Sequence, residues 1–553
     1  MKRTTPFPRL RWMSVGFVVM LGFVAALPVV AEAVTVDCNS GQTIKQALAL
    51  SGGGSGPKQL VITVRGTCNE NVVITRDDVT INTNGVATAT IAATDTSQPT
   101  VRLDGARRIV IDGVVANGIT ISGGTFGISA SRNSTLDVLH CAITGASNTG
   151  IIGSLNSVVS VDACSVTGNG NGITAANTSS VVVTNSTVSG NTGNGLVGTR
   201  SSYLRVGQDL SGTPTAKPVT VSGNGSTGIA ITEGSSGNIV GGTVQNSGGT
   251  NIFVGRASSG QIGLGSNNLT GGVAVQNGRR GIAVEGANAT ILFSTITGAT
   301  LEGININAAA SARIGVLNGN TGYGANTISG NATGIGVFHG GAAYIGGNTV
   351  TANTGIGINV FEATATIVGS NAITNNGQTG VLVHAGTVDF GNAGFELTTT
   401  NTISGNGSAG PNTGGIFAFK GGNILINDAT ISNNSGPGVQ AFEAGTIELR
   451  GSTTVTVPGA GSTAGALVQF GSTLRLRDTA SIISTTGDGI QASNLTSVNI
   501  RDGNIVQGNG AGAVGVRCFN TAPLPASAAT LTGLNLTNIT GATGATAGCN
   551  VFP

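Results

Sequence analysis

The sequence predicts an all-β protein, a right-handed parallel β-helix (solenoid) of about sixteen or more three-strand coils with an amphipathic helix capping its N-terminal end. Three observations carry the prediction. A Gly followed by an aliphatic residue recurs at Ile128, Ile151, Ile173 and Leu196, in steps of 23, 22 and 23 residues. Each repeat holds three short runs of period-two alternation separated by turn residues. The composition also suits short strands and tight bends, with 92 Gly among 553 residues and only 9% charged.

The anchor continues at Ile229, Ile252 (after Asn251), Ile282, Ile304, Ile335, Ile358, Val381, Ile416, Val439, Leu467 (less cleanly), Ile490 and Val516. In a solenoid each unit buries its apolar side on its neighbours, so length does not count domains. One repeat reads Gly172-Ile173-Thr174-Ala175, then Ser180-Val181-Val182-Val183, then Thr187-Val188-Ser189. At about 4.8 Å per coil the rod spans roughly 75 to 90 Å. Four steps are longer, from Leu196 to Ile229, Ile252 to Ile282, Ile304 to Ile335 and Val381 to Ile416. Their extra residues are expected between the second and third strands, as in 315–326 and 391–401, and therefore along one edge. Loops on a rigid scaffold are where function concentrates.

Residues 1–33 read as a signal peptide: Lys2, Arg3, Arg9 and Arg11 precede an apolar run over 13–30 and the A-x-A site Ala31-Glu32-Ala33. The expected product is secreted or periplasmic, with no membrane span after cleavage. Residues 34–100 form the N-terminal cap and first coils, with a short helix over 43–50. Residues 101–518 form the β-helix, and 519–553 leave the repeat as a C-terminal cap or tail. A solenoid with closed ends exposes few strand edges, so no oligomer is required.

Six cysteines in an exported chain invite pairing. Register favours three local bridges: Cys38 with Cys68, Cys141 with Cys164, and Cys518 with Cys549. Cys141 and Cys164 each lie 13 residues after an anchor, which stacks them on neighbouring coils.

With its cap, three-strand coils and Asn-bearing turns, the chain resembles the pectin-lyase-like superfamily from about Val34 to Phe519. That resemblance implies the fold and leaves the activity open, since the superfamily holds lyases, hydrolases, epimerases, tailspikes and non-catalytic adhesins. The clustered Asp ligands and Arg base of its pectate lyases are not found, nor the paired Asp and Gly-His-Gly of its polygalacturonase-like hydrolases. Asp77-Asp78, the one acidic doublet, reads as a solvated turn. His140, His339 and His384 have no acidic partner at a metal-like spacing, so no metal and no cofactor is expected.

Coil register turns scattered residues into columns. Four residues after the anchor come Arg132, Arg200, Glu233, Arg256, His339, Glu362, Lys420 and Glu443, an alternation that reads as exposed ion pairs. One residue earlier come Phe338, Phe361, His384, Phe419 and Phe442, with Phe470 close to register. Such a strip, facing outward, would suit a linear polysaccharide; the other reading has the rings turned inward or stacked on one another. Triplets of Ser/Thr, then Ile/Val, then Ser/Thr, such as Thr187-Val188-Ser189 and Thr402-Ile403-Ser404, line the third strand, and Asn169, Asn191, Asn224, Asn331, Asn353, Asn406 and Asn434 follow as a structural turn ladder.

A formal net charge of +2 provides no field for nucleic acid. The leading reading is a non-catalytic surface scaffold that meets a polysaccharide or a cell-envelope glycan. The alternative is a polysaccharide lyase or glycoside hydrolase with its site beside the insertions, where Glu302, Arg313, Asp389 and Glu396 are the candidate groups. Ice binding through the Thr columns is a distant third.

Overall fold

The computed structural model describes residues 32–50, 59–85, 87–209, 216–265, 270–317, 322–391, 400–408, 413–457, 464–485, 487–494, 496–501, 504–509, 513–519, 529–532, 539–540 and 549–552. The expected signal segment before Glu32 and the candidate Glu396 lie outside them.

The chain is an all-β parallel solenoid. Among the described residues the sheet that carries the anchors has eighteen strands, from Val72–Ile74 to Val516–Phe519. Ile151 pairs with Ile128 on one side and Ile173 on the other, and the register runs back through Val101 to Val72, two coils before the first recognised anchor. The second and third strands stack likewise, as Val158–Asp162 on Ser180–Thr184 and Ser165–Thr167 on Thr187–Ser189. Alternation sends Ile, Val and Leu inward on all three sheets into one continuous core, where Ile128, Ile151, Ile173 and Leu196 are each 0% exposed. Burial of each such side chain is worth about 1.5–3 kcal/mol.

The Gly before the anchor has a steric reason. A Cβ on Gly357 would lie 2.6 Å from the Gly380 carbonyl oxygen and 2.8 Å from Nδ2 of Asn376. Only Gly lets neighbouring coils close at that corner.

Two asparagine ladders fill the corners. One runs through Asn331, Asn353, Asn376, Asn406 and Asn434, each Nδ2 donating to the next Oδ1 at 2.8–3.0 Å. A second ladder, which the sequence reading did not find, joins Asn326, Asn348, Asn371 and Asn401 at the corner before the third strand, at 2.8–3.3 Å. All are buried.

The helix Ile44–Leu50 forms, with Ile44 and Ala47 buried in the same core as the first coils. Buried Glu70 accepts from the N–H groups of Ile44 at 2.6 Å and Lys45 at 3.1 Å. None of the described helices is long and apolar enough to cross a membrane.

The Cys38–Cys68 bridge forms as expected, and other expectations need correction. Cys38 and Cys68 are bridged, with Cα atoms 5.0 Å apart, and Cys518 is disulfide-bonded; the Cys549 side chain lies outside the described residues. Cys141 and Cys164 are free buried thiols instead of a bridge. In-register neighbours in a parallel sheet hold their Cβ atoms at roughly the 4.8 Å strand spacing, wider than the ~3.8 Å of a disulfide. The anchor of its coil is Ala466, not Leu467, since Val439 pairs with Ala466 and Ala466 with Ile490. Phe470 therefore belongs to the turn column. In the fourth insertion the extra residues are split, one part after Phe390 and another between Ser404 and Ile416, either side of the third strand. Beyond Phe519, strands Ala529–Thr532, Ile539–Thr540 and Cys549–Phe552 still pair onto the second and third sheets.

Candidate functional site

Each outward face of the coil carries one candidate. On the anchor sheet, Phe338, Phe361, His384, Phe419 and Phe442 stand in register and half-buried. Their rings face out, and they pack on one another. Phe361 and His384 stack with centroids 4.5 Å apart, His384 and Phe419 lie at 5.2 Å, and Phe419 and Phe442 at 5.9 Å. Phe470 meets Phe442 edge-on at 4.7 Å. The coil spacing matches the stacking distance of aromatic rings, so the faces of the middle rings are taken by neighbours and edges meet solvent.

The adjoining column turns the corner with positive φ in every coil from Arg132 (58°) to Asn494 (59°). Glu233 takes Arg256 at 3.1 Å and Arg200 at 3.7 Å. Arg132 reaches Asp104 at 2.9 Å, and His339 reaches Glu362 at 3.3 Å. Lys420 instead lies 5.0 Å over the Phe419 ring. Asp78 of the acidic doublet is held by Arg108 at 2.5 Å and 2.7 Å. The Arg108 hydrogen bond keeps the Asp78 carboxyl below its ordinary range, with burial opposing it.

The third sheet aligns Thr187, Thr220, Thr243, Thr295, Thr327 and Thr349 outward, but Ala274 and Ala372 interrupt the column.

The second sheet holds the arrangement with most chemistry. The central outward position of its strands aligns Arg205, Asn238, Gln261, Thr290, Arg313, Tyr344, Thr366 and Asp389 at one per coil. Tyr203, Asn238, Gln261, Thr290 and Arg313 line a groove of ≈ 440 Å³. An Arg–Tyr pair stands at each end. Arg205 lies 5.6 Å over the Tyr203 ring and donates to the Asp209 carbonyl at 3.0 Å. Arg313 lies 5.4 Å over Tyr344 and donates to the Leu317 carbonyl at 2.7 Å. Both carbonyls begin insertions, so these arginines tie the insertion bases to the groove. Burial pushes the Tyr344 phenol above its ordinary range, with Arg313 pulling it back.

The sequence-derived candidates divide between two faces. Glu302 is on the anchor sheet, where Arg280 donates to it at 2.8 Å. Arg313 and Asp389 share the second-sheet column, three coils and so about 14 Å apart. Burial raises the Asp389 carboxyl, with Arg450 opposing.

Comparison with known proteins adds two family matches. Residues 62–243 match the family described as right handed beta helix region. Residues 254–393 match that described as periplasmic copper-binding protein (NosD). That second stretch contains no Cys or Met, and its only histidines are His339 and His384. Phe361 lies between the two imidazoles, at 5.3 Å and 4.5 Å, so they cannot share an ion and the residues do not fit a copper centre. No curated protein matches the chain. Among solved structures, the A-module of the mannuronan C-5 epimerase AlgE6 of Azotobacter vinelandii aligns at 11% identity over 92% of this chain and 93% of that one. Its TM-score is 0.20, at which the backbones do not superpose. By the eighteen coils stacked among its described residues the chain is a parallel β-helix protein, and over residues 62–243 it is similar to the right handed beta helix family.

Proposed function

We propose that the chain is an exported β-helix that binds a glycan, free or of the cell envelope, along the outer face of its second sheet without transforming it. The groove between Tyr203 and Arg313 carries the proposal, because it repeats polar side chains once per coil on a rigid backbone. A linear polymer of polar units meets such a surface with little ordering cost on the protein side. Acid–base partners must lie within hydrogen-bond reach of one substrate position. The separation of Arg313 from Asp389, and the engagement of Glu302 by Arg280, favour binding over catalysis. The N-terminal run with its A-x-A site and the Cys38–Cys68 bridge support export.

The test offers the purified protein uronate-containing and neutral polysaccharides and reads retention and product release together. Retention without products is expected, with Tyr203→Ala and Arg205→Ala each weakening it about tenfold, equivalent to about 1.4 kcal/mol. Release of unsaturated or reducing ends would overturn the non-catalytic reading.

A further inference from the structure

Among the described residues, the hydroxyl of Tyr323 and Oδ1 of Asp389 are buried without a hydrogen-bond partner near one corner of the solenoid. Tyr323 comes from the third insertion. Its ring lies on the backbone of Gly346 and Gly347, where an added Cβ would in each case come within 2.7 Å of a ring carbon. The Asp389 carboxylate folds over Gly391, where a Cβ would fall 2.6 Å from Oδ1. Both groups are thus aimed at the turn that leaves the second sheet. Tyr344 and Thr366 stand on the two coils before Asp389 in the same column, and Arg313 lies 5.4 Å over the Tyr344 ring.

Buried polar groups are normally paired, and two unpaired ones at one corner leave hydrogen-bonding capacity that the chain itself does not use. Three hydroxyls and a carboxylate are the groups that exchange hydrogen bonds with a polyol. A carboxylate already disfavoured by burial gains from O–H donors, and a uronate placed beside it would add like-charge repulsion. We propose that Tyr323, Tyr344, Thr366 and Asp389 form a subsite for one neutral, hydroxyl-rich sugar ring, and that the bound polymer is therefore a neutral polysaccharide. The inference rests on the glycan-binding reading and adds to it the charge of the ligand and the position of one subsite.

Calorimetric titration of the full chain with neutral gluco-, manno- and xylo-oligosaccharides and with oligouronates tests it. At least one neutral series binds, and Asp389→Ala and Tyr323→Phe each weaken that binding tenfold or more. The unliganded Tyr323→Phe protein melts no lower than the wild type, since the lost hydroxyl had no partner; a lower melting temperature would give that hydroxyl a structural role and overturn the proposal. Preference for oligouronates, or neutral binding untouched by both variants, overturns the subsite and leaves glycan binding standing. Failure of every oligosaccharide in both sets to bind overturns both.

Discussion

The backbone N–H of Cys141 donates to the sulfur of Cys164 across 3.4 Å, while the two thiols donate to the carbonyls of Leu139 at 3.1 Å and Asp162 at 3.2 Å. The neighbouring Cys164 sulfur and burial push the Cys141 thiol far above its usual range. Native protein should therefore resist alkylation at pH 8, and unfolding without reductant should expose both thiols. Peptides bearing Cys141 and Cys164 that stay unlabelled after unfolding would mean a bridge. A raised folded-state pKa stabilises fully below the unfolded value. Stability should thus fall as pH rises above about 8.5, at up to roughly 1.4 kcal/mol per pH unit for Cys141.

The positive-φ column makes its own prediction. Leu155 sits in it at φ 55° and is 48% exposed, so its side chain has strain and little burial to offset it. A left-handed conformation costs a non-Gly residue about 1–2 kcal/mol, and Asn tolerates it better. Leu155→Asn should raise stability by about 1 kcal/mol in urea unfolding. A lower midpoint would show that Leu155 makes a contact that outweighs the strain.

Asn376 shows what a ladder position is worth. Its Oδ1 accepts from the N–H of Asn353 at 3.2 Å and from Asn353 Nδ2 at 2.8 Å. Its Nδ2 donates to the Val350 carbonyl at 3.1 Å and to Asn406 Oδ1 at 2.9 Å. Asn376→Ala takes the acceptor from the buried Asn353 N–H and one bond from each of the other partners, at a cost of about 3 kcal/mol. An exposed substitution such as Gln378→Ala is the control, and equal effects of the two would remove the ladder's special standing.

Residue spacing carried the fold because anchor and turn keep their offset from coil to coil, as Ile335, His339 and Ile358, Glu362 do. The second-sheet column was missed for the converse reason. Arg205 follows its anchor Leu196 by nine residues, yet Thr290 follows Ile282 by eight, because the corner between them varies in length. A search at fixed offset scatters such a column. Leu467 misled for a related reason, since its coil anchors on the Gly465-Ala466 pair and an aliphatic follows one residue later. The second ladder was legible, with Asn326, Asn348, Asn371 and Asn401 each opening a third strand, but their amide-to-amide contact is a property of stacking. Tyr323 could not be placed at all, because an insertion has no register.

Near the C-terminal coils, Asp488 ties two strands together. It takes Arg517 at 2.6 Å and 2.9 Å and the N–H of Val514 at 2.9 Å. Burial raises its carboxyl, but the hydrogen bonds from Arg517, Gln491 and Val514 outweigh this and hold it below the usual carboxylate range. A lowered folded-state pKa gives stability that is present above the unfolded value near 3.9 and is lost as pH falls through the folded one. Asp488→Asn should cost about 2 kcal/mol at pH 7 and flatten the acid limb of the stability profile below pH 4. An unchanged acid limb would remove Asp488 from that transition.

His384 decides what the ring strip is for. It stands between Phe361 at 4.5 Å and Phe419 at 5.2 Å, and its Nδ1 is buried without a hydrogen-bond partner among the described residues. If the strip is scaffold, a phenyl ring there removes an unsatisfied polar atom and continues the stack. His384→Phe should then stabilise by about 1 kcal/mol and leave glycan retention unchanged. A strip that binds sugar through this imidazole gives the opposite pair of results, retention lost with stability unchanged. Thermal melting and retention measured on the same variant separate the two, because the scaffold role moves only the first and the binding role only the second.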